Sequence, residues 1–167
     1  MASIIANLPE TLKIRTSENE VVEVTGKLIN ESLVIKELFD KNGDIKSDEI
    51  TIEVKSKELK NAVKVLELCD LEKPHVSMSG YLDLATLKGA NLEALEFLNS
   101  IPGDDMAALC NLSFTLELAR LSDLCLATIA GFIAGKNVIE IREAFGLKND
   151  YTEEEEAEFR KRHEFDV

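Results

Sequence analysis

Tryptophan is absent from this chain of 167 residues, aromatic residues make up only 5%, and there are just two histidines, three cysteines and three prolines. Each scarcity closes off a class of function. Cys69, Cys110 and Cys125 stand apart, with no CxxC spacing and an odd total, so they compose neither a zinc knuckle nor a disulfide framework. Each follows a leucine, in surroundings where a free thiol behaves as a small buried hydrophobe. His75 and His163 have no second imidazole or thiol at metal-ligand spacing, and both read as surface residues. The glycine-rich phosphate loops, the GxSxG elbow and the HExxH helix are all missing. No acid, base or nucleophile set assembles from what remains, so the sequence reads as non-catalytic, with no cofactor and no metal site.

Positive charge is also in short supply. Nineteen Lys and Arg face 32 Asp and Glu, a formal net charge of -13. Nucleic acid and anionic membrane surfaces both require a cationic face that displaces counterions, so neither is expected as a partner, and another protein is. No apolar run approaches bilayer length, and MASIIANLPETLK lacks the basic flank and sustained apolar centre of a secretion signal. The expected location is cytoplasmic and nuclear.

What is present is a 45% hydrophobic fraction, enough for one well-filled domain with an appendage. Leu12 and Ile14 alternate with Lys13 and Arg15, and a polar turn at Ser17, Glu18 and Asn19 leads to Val22 and Val24, which reads as a hairpin with one buried face. Asn30 is expected to cap a short helix holding Leu33, Val34 and Leu38. Ile50, Ile52 and Val54 alternate as a third strand, and Ser56 is expected to cap an amphipathic helix carrying Leu59, Ala62, Val63, Leu66 and Cys69. Pro74, Gly80 and Gly89 punctuate residues 70–90, which predicts a loop with one short ordered piece at 81–87. Beyond it come leucine-rich helices: one from Leu92 to a stop at Pro102 and Gly103, one starting at Asp104, and one holding Leu124, Thr128, Ile129, Phe132 and Ile133, with Gly135 where a left-handed cap is wanted.

The segment 135–165 predicts two short helices. Asn137 and Glu140 form a capping box for the first, over 138–145, and Gly146 stops it. Thr152 and Glu155 form another for the second, whose acidic run at 153–156 lies where the helix dipole is positive. Val138, Ile141, Phe145 and Leu147 fall near one stripe, and Ala157, Phe159 and Phe165 supply a thinner set. So little apolar surface cannot close a core, so these helices lie on the preceding domain, on a partner, or on both. By periodicity alone Ile129 and Ile133 fit core and contact equally well.

Residues 148–157, KNDYTEEEEA, together with Gly135, Lys136, Ile141, Arg142 and Phe145, resemble the S-phase-kinase-associated adaptor family, which links F-box proteins to a cullin in SCF ubiquitin ligases. Fainter likeness runs through LKIRTSENEVVEV, the helix at 57–69 and Glu96 to Leu98. The resemblance implies an α/β fold: a flexible N-terminal arm at 1–10, a BTB/POZ-like domain with a three-stranded sheet and helices at 11–134, and two C-terminal F-box-binding helices at 135–167. It assigns F-box binding to Ile129, Phe132, Ile133, Val138, Ile141, Phe145, Leu147, Asn149, Asp150 and Phe165. It assigns the cullin side to Phe97, Leu98, Phe114 and Thr115.

The chain departs from the family at informative places. Phe114 and Thr115 stand where the family carries an Asn-Tyr pair, and Phe165 stands where it carries a tryptophan. Glu153 replaces a proline that some relatives hydroxylate, so that modification is not expected. Val138 and Ile139 replace the Pro-Glu that opens the first terminal helix, which removes a favourable first-turn proline and widens the apolar face. Two functions follow: an adaptor that joins F-box proteins to a cullin, or an assembly protein that keeps F-box binding or self-association, including a homodimer through the F-box groove, without the cullin.

Overall fold

A computed structural model of the chain describes residues 10–42, 49–77, 81–148 and 150–163. The alternating pattern near the N-terminus makes strands β1 (Thr11–Arg15) and β2 (Val21–Thr25), antiparallel with Leu12 opposite Val24 and Ile14 opposite Val22. All four of these side chains are buried on one face, as the period of two requires. The turn between them needs one left-handed residue, and Asn19, at φ 60°, supplies it. Strand β3 (Glu49–Thr51) pairs parallel to β1 on its other side, giving the order β2-β1-β3. It is shorter than the alternation through Val54 predicts. Ile52 N still donates to Arg15 O at 2.9 Å, but β1 ends there, and Val54 N turns back to Ile52 O.

Between β2 and β3 lie α1 (Gly26–Glu31) and α2 (Leu33–Asn42). Asn30 does not cap, contrary to expectation; it sits inside α1. Ser32 breaks the two helices apart and caps the second, its Oγ accepting from Ile35 N at 3.1 Å. The same hydroxyl donates to Leu116 O at 2.6 Å, and Ser32 forms an isolated bridge with Leu118. The sequence Lys41, Asn42, Gly43, Asp44 also reads as a turn that ends this helix; Lys41 and Asn42 instead belong to α2, and Gly43 and Asp44 fall outside the described residues.

Helix α3 (Ser56–Glu67) packs Leu59, Ala62, Val65 and Leu66 into the core, with Val63 only half-buried. Ser56 is not its cap either. Lys55 occupies that position without a side-chain bond, and the first amide is served from the hairpin turn, Ser56 N donating to Glu18 Oε2 at 2.9 Å. Lys60 pairs with Glu20 one turn further on. The backbone amide of Ser56 holds the Glu18 carboxyl below its ordinary range, and the Lys60 ammonium does the same for Glu20.

The expected loop at 70–90 is half helix. After an irregular stretch at 70–77, α4 (Tyr81–Ala90) runs past the predicted 81–87 piece, because Gly89 near a helix end costs little and Leu87 is buried. Next come α5 (Leu92–Ser100), α6 (Gly103–Thr115, opening after Pro102) and α7 (Ala119–Ile133). Leu95, Leu98, Leu109, Leu112, Leu121 and Leu124 join the sheet residues in one core. Cys69 and Cys125 are buried within it, and burial pushes their thiols up to about 11 and about 12. Cys110 is half-buried and its thiol is raised by the same cause. His75 is not a free surface residue; its Nε2 lies 2.9 Å from Asp123 Oδ2 with little solvent access.

The chain divides into two compact units, Met1–Gly131 and Phe132–Val167. Among the described residues no helix is long and apolar enough to cross a membrane, and no group of three potential metal ligands gathers.

Candidate functional site

The second unit begins on the last turn of α7 and is built from local signals. Gly135 takes φ 75° to end that helix. Asn137 Oδ1 accepts from Glu140 N at 3.0 Å and Glu140 Oε2 accepts from Asn137 N at 2.8 Å, so α8 (Val138–Ala144) opens on a complete capping box. It closes on paired bonds, Leu147 N to Arg142 O at 2.8 Å and Gly146 N to Glu143 O at 3.2 Å, around Gly146 at φ 63°. Helix α9 (Glu153–His163) opens on a second capping box between Thr152 and Glu155.

Aromatic contacts and an ion pair between the helices tie these pieces together. Phe132 and Phe145 meet edge to face at 5.6 Å, with the Lys136 ammonium 4.8 Å over the Phe132 ring. Arg142 Nη1 reaches Glu156 Oε1 at 3.0 Å, joining α8 to α9, and its guanidinium lies 5.3 Å over the Tyr151 ring. Tyr151 in turn meets Phe159 at 5.2 Å.

What the unit lacks, among its described residues, is an interior. None of its described residues is buried. Eight large apolar side chains are exposed, from Ile133 at 37% to Ile139 at 64%. Helices of seven and eleven residues are marginal in water alone, so caps and ring contacts hold a shape whose apolar face is open.

The residues read from the sequence fall into distinct places. Phe132, Ile133, Val138, Phe145, Leu147 and Asp150 are exposed on the second unit, and Ile141 is half-buried there. Ile129, on α7 in the first unit, is half-buried against that unit's core. Asn149 and Phe165 lie outside the described residues. In the first unit Phe114 is exposed at the end of α6, and Thr115 beside it back-bonds its hydroxyl to Asn111 O at 3.0 Å. Phe97 is half-buried against the core. Leu98 must be withdrawn as a contact residue. At 1% exposed it belongs to the core, because it shares the inward stripe of α5 with Ala94 and Leu95.

Sequence reasoning named Arg142 and Tyr151 only within the family string, with no contact assigned to either, and saw Ile139 only as widening the apolar face. Arg142 and Glu156 are 14 residues apart on different helices, and no local spacing announces such a pair. Ile139, just inside the capping box, carried a visible signal as an apolar residue off the main stripe.

Known proteins resemble the chain along most of its length. A homologue of S-phase kinase-associated protein 1 from Tetrahymena thermophila is 32% identical over 165 residues, covering 92% of each chain. The suppressor of kinetochore protein 1 of Schizosaccharomyces pombe is 28% identical over 159 residues, covering 92% of this chain and 96% of its own. SKP1-like protein 17 of Arabidopsis thaliana is 41% identical over 70 residues, 42% of this chain and 47% of that protein. The family model described as "Skp1 family, dimerisation domain" matches residues 119–166, which take in α7, α8 and α9. With a relative above 30% identity along nine-tenths of both chains and the family's own domain lying over the coreless terminal unit, the chain belongs to the Skp1 family of adaptor subunits in SCF ubiquitin ligases.

Proposed function

We propose that this chain is a non-catalytic adaptor whose C-terminal unit captures an F-box segment and whose first unit meets a cullin, in the cytoplasm and nucleus. The observation that carries the reading is the missing interior of the second unit. Eight exposed apolar side chains, held in place by two capping boxes and a paired glycine stop, form a surface arranged before its partner arrives. Phe132, Ile133, Val138, Ile141, Phe145 and Leu147 supply the apolar anchors, and the charges of α9 supply the polar rim. Asn149, Asp150 and Phe165 extend the same surface in this reading. On the cullin side Phe114 and Thr115 carry the contact with Phe97 at its margin, and an exposed phenyl ring calls for an apolar partner surface.

The decisive variant is Phe145→Asp. Loss of a buried aromatic anchor costs 2 kcal/mol or more, about thirtyfold in affinity, so capture of an F-box protein in pull-down should fall by at least that factor with the melting temperature of the first unit retained. Global unfolding of the variant would show Phe145 to be core and defeat the assignment. A pull-down with a cullin N-terminal domain tests the other face: binding that survives Phe114→Ala and Thr115→Ala would remove those residues from the contact.

A second reading has one observation of its own. The matching family model is described as a dimerisation domain and covers the terminal unit, so a second copy of the chain competes for the same apolar side chains. In that reading the protein keeps self-association or F-box binding and has no cullin contact. Sedimentation of the free protein tests for the dimer, which an F-box segment should dissolve, and the cullin pull-down separates the two readings.

A further inference from the structure

A cavity of about 240 Å³ in the first unit plays no part in the reading above. One wall is the irregular stretch 70–77, which α7 holds at both ends. Arg120, only 6% exposed, donates to Lys73 O at 2.7 Å and to Asp70 O at 3.5 Å, and it is braced by Glu31 through bonds of 2.9 and 3.4 Å. His75 is held by Asp123. The opposite wall is the end of α4 and the start of α5. Most of the lining is apolar, with Pro74, Leu87 and Ala90 among the residues that supply it, and Asn91 and Arg120 are two of several polar groups that border it.

Three features of this space select a ligand. Its size is the first: an apolar void of about 150 Å³ accommodates benzene, so this one takes a single ring with one polar substituent. Charge is the second. Arg120 is matched by Glu31 and Lys73 by Asp70, and the Nε2 of His75 is taken up by Asp123, so an anion or a cation entering the cavity finds the charges around it already paired and gives up part of its hydration. Hydrogen-bonding capacity is the third. The Nη1 of Arg120 has only the long bond to Asp70 O and retains a donor. Asn91 Nδ2 is committed to Leu87 O at 2.9 Å, which leaves the carboxamide oxygen as an acceptor. A donor and an acceptor over an apolar floor match a carbonyl and an N–H carried on one ligand.

We propose that this cavity is a binding site for a small uncharged aromatic carboxamide, with its carbonyl on Arg120, its N–H on the Asn91 oxygen and its ring between Pro74, Leu87 and Ala90. The site is independent of the F-box reading and survives its failure.

The test uses the full chain and three probes of one shape: benzamide, benzoate and benzylamine. Titration of ¹H–¹⁵N amide spectra with benzamide should give saturable shifts confined to residues 70–77 and 86–91 and the turn of α7 around Arg120. The two charged probes should bind about tenfold more weakly, since each buries a charge without a partner. Ala90→Phe, which fills the cavity from its rim, should abolish the shifts; if that variant does not fold, Thr86→Trp fills the same space from α4. The proposal is overturned by the absence of saturable shifts with benzamide, by a charged probe binding as tightly, or by unchanged benzamide binding in a folded cavity-filling variant.

Discussion

Replacing Arg142 by Met should release α9 from α8 while leaving the rest of the protein untouched. Methionine keeps the apolar stem of arginine and a helix propensity close to it, so the change removes the charged head and little else. Two of the contacts the head makes have a worth that can be set from their surroundings. The pair with Glu156 is mostly shielded, with side chains 17% and 30% exposed, which puts it at the upper end of the surface range, about 1 kcal/mol. The cation over Tyr151 adds about 0.5–1 kcal/mol. Together they amount to about 1.5–2 kcal/mol, a tenfold to thirtyfold increase in the open population at 1.36 kcal/mol per decade. Native-state hydrogen exchange reads that population directly. Amides of α9 in Arg142→Met should exchange faster by that factor, while those of β1 and α3 keep their rates. If α9 exchanges no faster, the ion pair does not join the helices; if the core amides accelerate too, the unit is not the separate cooperative element described above.

Other outcomes follow from the first unit. Leu98→Ala should cost about 2–5 kcal/mol in chemical denaturation, as expected for a cavity left in a packed core, whereas Phe114→Ala, at an exposed helix end, should stay within about 0.5 kcal/mol. Glu18 and Glu20 have carboxyls depressed below the unfolded value, so their contribution is fully present above that value, near 4.5, and is lost as pH falls through the folded ones. Melting temperature should therefore drop on acidification below about pH 4.5, and Glu18→Gln should flatten that slope. In a thiol-labelling assay at neutral pH the native protein should modify at Cys110 first, with Cys69 and Cys125 reacting only on unfolding because burial holds both thiols protonated.

Legibility in the sequence followed the range of each interaction. Both capping boxes and the Gly146 stop at the C-terminus were readable because every partner lies within six residues. The hairpin and its buried face were equally local. Three of the misreadings share one physical cause, a partner far along the chain. Ser32 looked like an ordinary residue beside Asn30, yet its hydroxyl is fixed by Leu116. Ser56 looked like a cap, but the helix it opens is capped by a glutamate 38 residues earlier. His75 looked solvated until Asp123, 48 residues on, was in view. Within the site, the stripe Val138, Ile141, Phe145 was visible as a period. The sorting of Phe97 from Leu98 was not, since the two differ only in which side of α5 turns inward.

The Ser32 hydroxyl also sets an order of events during synthesis. Its acceptor is 84 residues downstream, and a ribosome adding about 5–20 residues per second reaches that point about 4–17 s later. Throughout that interval Ser32 has only its local role, capping α2 through Ile35 N. The nascent hairpin and first helices must therefore wait, with one side of their contact surface uncovered, until the turn after α6 leaves the exit tunnel. A chain stalled just short of Leu116 should keep its strands paired and yet remain open to chaperones that bind uncovered apolar surface.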